Sequence, residues 1–377
     1  MTIDTGSPAP STLQSGAPSA PTTAQSMWLV AEREIGSKLR SKAFVISTAI
    51  LFLGALALVV WGGISAGDDS GTPVAVTSDA AQYVPDEANL DVTDAADRAE
   101  AEDLVTSGDV DAAIVGDSSS PLGFVIIAES EAPTQLMLAL AQVPPVELLD
   151  PDDSNPALRY LVAIGFGIVF LLAASLFGGT IAQSVVEEKQ TRVVELLISA
   201  IPTRALLAGK VVGNTVLAMA QILILAAIAI VGLTVTGQGE ILQGLGAPIV
   251  WFAVFFLFGF ILLAALFAAA AAMVSRQEDI GSTTMPLTML IMAPYFLVIF
   301  FNDNPTVLAI MSYIPFSAPV GMPMRLFLGE AQWWEPILSL AILIATCFAA
   351  ILVGAKIYEN SLLRMGGRVK LREALGG

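Results

Sequence analysis

Six long apolar runs alternate with shorter polar segments along the chain. They cover residues 43–67, 160–183, 209–236, 248–274, 280–301 and 337–356. As α-helices rising about 1.5 Å per residue, such runs can cross about 30 Å of hydrocarbon. The pattern predicts a mainly α, polytopic bundle of six membrane-spanning helices.

A further uncharged run, residues 304–324, does not fit a spanning helix. It contains four prolines, each of which removes a backbone donor that lipid cannot replace: Pro305, Pro315, Pro319 and Pro323. We therefore predict a re-entrant or interfacial segment on the outer side of the membrane.

The segments around the first run differ in character. Residues 1–26 are rich in Pro, Ser, Thr and Ala, which predicts a disordered cytoplasmic tail. Residues 27–42 combine an apolar face with several bases, which favours an amphipathic helix on the inner membrane surface. A simple basic flank of the first span explains the same residues. Residues 68–157 mix strand and helix patterns and predict a small extracytoplasmic α/β domain.

The charge is unevenly distributed. Of 34 acidic residues, 20 lie between residues 66 and 157 with a single base, Arg98, so the net charge of −17 belongs mainly to that domain. This balance argues against a nucleic-acid partner. Six spans with a cytoplasmic N-terminus place 14 bases inside and 3 outside. We therefore expect a plasma-membrane protein with both termini cytoplasmic, a bundle over residues 158–358 and a basic tail over 359–377.

Several classes of chemistry are disfavoured. The chain has no histidine, and its one cysteine, Cys347, lies in an apolar run. No catalytic residue or metal-ligand set stands out, and the spans lack the central charges of an ion-coupled transporter. Gly209-Lys210 is not part of a phosphate loop, because Val211 replaces the required Ser or Thr. Energy from ATP would have to come from another chain.

Residues 184–200 form an amphipathic pattern between the second and third spans. The sequence predicts one helix, with Glu188–Arg192 and Arg192–Glu195 at pairing distance along it, ended by Pro202. A docking surface for a cytoplasmic partner and a plain connector would look the same.

The order of motifs resembles permease subunits of type 2 ABC exporters, most closely the sodium-exporter (NatB-like) branch. The resemblance rests on Glu187-Glu188-Lys189, Glu195-Leu196-Leu197, Pro202 and Gly209-Lys210 leading to Gln221. It is supported by Glu32-Arg33-Glu34 and by Ile314-Pro315-Phe316-Ser317-Ala318-Pro319 followed by Arg325.

The resemblance implies roles and partners. Coupling to an ATPase would involve Glu187, Glu188, Lys189, Arg192, Glu195, Gly209 and Lys210. Translocation or gating would involve Gln221, Pro315, Ser317, Pro319 and Arg325. This chain would hold no cofactor, with ATP and Mg on cytoplasmic ABC ATPase subunits. A second permease copy or paralogue would complete an exporter of Na⁺, drugs or lipids.

Two questions remain open at this level. A membrane-anchored receptor or sensor, using the acidic domain to bind a ligand, is the alternative function. Arg325 either pairs with an acid such as Asp303 or Glu330, or touches substrate.

Overall fold

The computed structural model describes residues 22–67, 71–85, 90–129, 136, 137, 140, 156–191, 193–362, 364 and 369–376. The chain divides into two compact units. The helical unit comprises Met1–Gly54, Ser154–Ile228 and Glu240–Gly377, and the sheet unit comprises Ala55–Asp153 and Ala229–Gly239.

The helices, in chain order, are α1 (Thr23–Arg40), α2 (Lys42–Gly67), α3 (Arg98–Ser107), α4 (Pro156–Gln190), α5 (Val193–Ala200), α6 (Thr203–Val235), α7 (Gly239–Ala272), α8 (Ile280–Phe300), α9 (Pro305–Tyr313), α10 (Ala318–Phe327), α11 (Glu335–Leu362) and α12 (Leu371–Gly376). The strands are β1 (Thr72–Thr77), β2 (Leu90–Ala95), β3 (Ala112–Gly116) and β4 (Phe124–Ile127).

Six helices in the described part of the chain are long and apolar enough to cross a membrane: α2, α4, α6, α7, α8 and α11. The predicted number of spans is confirmed. Most of these helices extend beyond the apolar runs, and the polar residues that α4 adds at its end, Ser184, Glu188 and Lys189, contact other helices. Pro248, the expected start of the fourth span, lies inside α7, which begins nine residues earlier at Gly239.

Helix α1 begins at a capping box. The Thr22 side chain accepts from the backbone N–H of Gln25, and the Gln25 side chain accepts from that of Thr22. This cap starts the helix at Thr23, ahead of the predicted boundary at residue 27. Ser26, Val30, Ala31 and Glu34 form its buried face.

The expected helix over residues 184–200 is interrupted. Helix α4 continues to Gln190, and the separate helix α5 starts at Val193. The Thr191 hydroxyl donates to the carbonyl of Glu187 at 2.8 Å, and the β-branched Val193 and Val194 follow. Both features weaken helix propensity. Arg192, between the two helices, lies outside the described residues.

The proline-rich segment forms two short helices joined by a turn. Helices α9 and α10 have 9 and 10 residues, about half of what a span needs. Pro305 and Pro319 fall in the first turns, where a missing N–H is tolerated. Every residue from Ala318 to Arg325 is buried, so the backbone of α10 is enclosed by protein.

The sheet unit contains one four-stranded sheet in the order β2-β1-β3-β4. Strand β1 pairs in parallel with β2 and β3, and β4 is antiparallel to β3. Helix α3 covers one face, where Ala101 and Val105 pack with Ala75, Ala113 and Val115. Residues 1–21, which include most of the predicted N-terminal tail, lie outside the described part.

Candidate functional site

The helical unit has a densely connected polar end, where α4 stops. We call it the Lys189 end and define it by Glu34, Glu188, Lys189 and Lys210. The Lys189 side chain is 1% exposed, and its ammonium donates to the carbonyls of Ala272 at 2.8 Å and Ser361 at 2.9 Å. These carbonyls belong to the last turns of α7 and α11, where intrahelical donors run out, and the Ser361 carbonyl also accepts from the backbone N–H of Arg364 at 3.2 Å. One cation therefore caps two helices.

The neighbouring residue, Glu188, points to a different pair of helices. Lys210, fully buried at the start of α6, lies 2.8 Å from Glu34 Oε1 and 3.0 Å from Glu188 Oε2. Its Nζ also donates to Ser184 Oγ at 2.6 Å. Arg33 on α1 pairs with both carboxylates. Two cations thus meet two anions, and a buried charge cluster needs such pairing.

The cluster fixes the charge of Glu34. Burial on its own raises the pKa of this carboxyl, but Lys210 and Arg33 outweigh burial and hold the pKa below its usual value. Glu34 is therefore an anion at neutral pH. For Lys38, one turn further along α1, burial lowers the pKa, and Lys210 adds to that effect while Glu34 opposes it.

Two glycines on α6 allow α1 to come close. A Cβ placed on Gly209 would lie 2.5 Å from Val30 Cβ, and one on Gly213 would lie 2.8 Å from the carbonyl oxygen of Ala31. The four-residue spacing puts both glycines on one face, an arrangement that permits tight helix packing. Gly209 therefore allows α1 to pack closely against α6, and Lys210 provides the cation that pairs with Glu34 of α1.

The Lys189 end also has exposed side chains on α5. On α5, Val194 is buried and Leu197 packs on the core, whereas Glu195 is exposed and Leu196 is 73% exposed. Beside α5, a polar cavity of about 410 Å³ opens between α1 and α4. Its lining includes Arg33, Lys38, Gln183, Glu187 and Thr191.

The structure brings most of the predicted coupling residues together. Glu188, Lys189, Gly209 and Lys210 join α1, α4, α6, α7 and α11, while Glu187 and Glu195 lie on the surface. The predicted pairs of Arg192 lie outside the described residues. Glu188, expected to pair along its own helix, contacts Arg33 and Lys210 of other helices.

Glu34 and Ser184 were not among the predicted site residues. The signal available for Glu34 was its position in a buried stripe, eight residues after Ser26 and four after Val30.

A second polar group lies in the α9–α10 hairpin. Arg325, 6% exposed, reaches both oxygens of Glu335 at 3.0–3.2 Å and the hydroxyl of Ser312 at 3.0 Å. Tyr313 donates to Glu335 at 2.8 Å. Burial and Glu335 raise the pKa of Tyr313, which keeps its phenol protonated as a donor.

The expected partner of Arg325 needs correction. The ion pair described for Arg325 is with the carboxylate of Glu335, at the start of α11, in place of the predicted Asp303 or Glu330. Glu330 accepts a hydrogen bond from Arg325 through its backbone carbonyl. Glu335 is fixed for this role by the backbone N–H of Gln332, 2.6 Å from its Oε2.

The remaining predicted gating residues are distributed differently. Ser317 donates to the carbonyl of Met311 at 2.7 Å and closes the turn that contains Pro315. Pro319 packs on α7, where a Cβ at Gly259 would lie 2.6 Å from its Cγ. Gln221 lies on α6, 4% exposed. Ser317 and Pro319 therefore position the hairpin.

Comparison with known proteins identifies the family. Residues 42–356, most of the chain, match the family model described as ABC-2 family transporter protein. The chain belongs to the ABC-2 transporter family. This ABC-2 protein is a multi-pass membrane permease, and permeases of the family normally work with ATPase subunits.

Two relatives from other organisms are similar to this ABC-2 chain along its sequence. It is 24% identical to the uncharacterized protein YhaP of Bacillus subtilis, over 90% of this chain and 95% of that protein. It is 25% identical to the uncharacterized protein MJ1024 of Methanocaldococcus jannaschii, over 58% of this chain and 54% of that protein. No solved structure matches the chain.

Proposed function

We propose that this chain is the translocating subunit of an ATP-driven exporter, coupled at its Lys189 end to separate ATPase subunits that hold ATP and Mg. The observation that carries the proposal is the connection of α4 to four other helices through Glu188 and Lys189. A movement of the adjoining α5 would be transmitted through α4 to α1, α6, α7 and α11, whereas a passive anchor has no need of such connections.

The basic residues support the orientation of this assembly. Five bases lie near the Lys189 end: Arg33, Lys38, Lys189, Lys210 and Arg276. Cytoplasmic segments carry such an excess of bases. We therefore assign this end to the cytoplasm and the protein to the plasma membrane. With this orientation, we propose that residues 68–157, which lie between the first two spans in sequence, are outside.

The docking surface consists of the exposed face of α5 and the adjacent part of α1. Leu196 offers an apolar contact and Glu195 a charge, while Leu197 ties α5 to the core. ATP-driven movement of the ATPase pair would shift α5 and, through Glu188 and Lys189, the helices around it. A second permease copy or paralogue completes the path.

The substrate class follows from the resemblance to NatB-like permeases. We propose Na⁺, with drugs or lipids as the competing class. ATP-dependent uptake of radioactive Na⁺ into inverted vesicles tests this choice. Uptake that a Na⁺ ionophore discharges supports it, and an active ATPase complex without Na⁺ uptake points to an organic substrate.

The partner is tested by affinity purification of the tagged chain from its native membranes, followed by mass spectrometry. We expect an ABC ATPase to co-purify with the wild type and to be lost with Glu195→Lys. Glu129→Lys, the same charge reversal at an exposed position of the sheet unit, should retain it. Loss with both variants, or retention with both, contradicts docking on α5. A signalling protein in place of the ATPase would favour the receptor alternative.

A further inference from the structure

Two buried amide side chains on α6 have acceptor atoms that the protein leaves unused. Asn214 is fully buried; its Nδ2 donates to the carbonyl of Lys210 at 2.9 Å, but its Oδ1 accepts no hydrogen bond within the described part of the chain. Gln221 is 4% exposed, and its Oε1 is likewise without a donor among the described residues.

These amides continue a line that begins at the charge cluster. Lys210, Asn214 and Gln221 are separated by four and seven residues, which places them on one face of a helix. At about 1.5 Å per residue, the line is about 16 Å long and ends near the middle of the 33-residue α6. Val216 and Leu223 lie on the exposed side of the same helix.

A third unused polar atom comes from another helix. The Tyr358 side chain on α11 is fully buried, and its hydroxyl has no hydrogen-bond partner in the described ranges. Within the described ranges, buried polar atoms without a partner also occur on α2 and α8, but Asn214 and Gln221 share one face of α6 with Lys210.

Buried polar atoms in proteins are almost always paired with protein groups or with water. Since the described residues supply no donor to these two amide oxygens, we propose that water enters the bundle at the Lys189 end and follows α6 from Lys210 past Asn214 to Gln221. This hydrated track would open the middle of the membrane to polar or cationic solutes from one side. Its role in export rests on the proposed function, but its hydration does not.

Accessibility of introduced thiols tests the track. Cys347→Ala removes the native thiol, and Cys is then placed singly at Asn214 or Gln221. Ala268→Cys provides a buried apolar control on α7, and Val216→Cys an outward-facing control on α6. The probe is a cationic, membrane-impermeant methanethiosulfonate applied to inverted vesicles containing this chain alone. An apolar environment raises the pKa of a thiol, and each pKa unit of increase lowers the fraction of reactive thiolate about tenfold.

We expect labelling at positions 214 and 221 to be at least about tenfold faster than at both controls. Equal rates at all four positions would overturn the proposal. Because no ATPase is present, this result is independent of the docking experiment: labelling without ATPase binding would uphold the track and defeat its role in ATP-driven export.

A second variant covers the case in which the Cys variants do not fold. Gln221→Met keeps the length of the side chain and removes its polar atoms. In a hydrated track the melting temperature should stay the same or fall. A rise of several degrees would mean that the amide was buried dry, and would refute the proposal.

Discussion

Two buried lysines at the same end of the bundle have different partners. Lys210 neutralises the carboxylates of Glu34 and Glu188, whereas Lys189 binds only backbone carbonyls in the contacts described for it. The first is an ion-pair partner and the second a cap for two helices. Replacing them should therefore have different consequences.

Lys210→Met should destabilise the protein by about 3–5 kcal/mol, because it removes the buried one of the two cations that neutralise Glu34 and Glu188. Thermal unfolding in detergent measures the change. The double variant Lys210→Met/Glu34→Gln should recover part of the loss. Arg276→Met, which removes a pair whose two side chains are 75% and 72% exposed, is the control and should have little effect. Equal losses for Lys210→Met and Arg276→Met would show that the buried cluster is not stabilising.

Acid should remove the contribution of Glu34. Its folded pKa lies below the usual value, so its stabilisation is present above the unfolded pKa of about 4.3 and is lost as pH falls through the folded value. The melting temperatures of wild type and Glu34→Gln should therefore differ at neutral pH and converge below about pH 4. A difference that stays constant over this range would contradict the assigned ion pairing.

The sequence indicated that Arg325 could pair with an acid, but it did not identify which acid. Asp303, Glu330 and Glu335 lie 22, 5 and 10 residues from Arg325 along the chain, and only the folding of α9 and α10 against α11 selects Glu335. The partners of Lys189 lie 83 and 172 residues away, and no periodicity encodes such contacts.

At the scale of elements, α1 is held against α6 by close packing as well as by ion pairs. Gly213→Ala should cost about 1–3 kcal/mol, because the new methyl would overlap the backbone of Ala31. Gly36→Ala on α1 is the matched control: nothing lies within 4 Å, so the better helix propensity should stabilise by up to about 1 kcal/mol. Thermal unfolding compares the two, and stabilisation by both would disprove the close contact.

Removing the shared cap should loosen two helix ends at once. Lys189→Met should speed amide hydrogen exchange in the last turns of both α7 and α11, since their carbonyls lose a charged donor. Arg204→Met is the control. It breaks an ion pair with Glu359 in which Arg204 is 76% exposed, and it should leave hydrogen exchange in α7 unchanged. Faster exchange in only one helix would argue against a common cap.

The elements were predictable to different degrees. The apolar runs identified all six candidate spans, because length and hydropathy determine them. The break between α4 and α5 was not predicted, because its amphipathic pattern continues through Gln190 and Thr191. The proline-rich segment was recognised as non-spanning because four prolines fall within it, and the structure places two of them, Pro305 and Pro319, where α9 and α10 start.

For the molecule as a whole, family membership and structure support one account. The chain is an ABC-2 permease whose α4 connects to the other helices through two adjacent side chains, Glu188 and Lys189. The sequence supported the family and the general position of this region. The buried network depends on three-dimensional packing, and so could not be derived from it.

The most direct test of this account is Mg-ATP hydrolysis by the complex purified from native membranes through the tagged chain. Leu196→Asp places a charge on the 73% exposed apolar position of α5, and Leu122→Asp makes the same change at a 69% exposed position of the sheet unit. We predict vanadate-sensitive hydrolysis with the wild type and Leu122→Asp, and its loss with Leu196→Asp while the chain remains folded. Undiminished hydrolysis with Leu196→Asp, or none with the wild type, would contradict coupling through the Lys189 end.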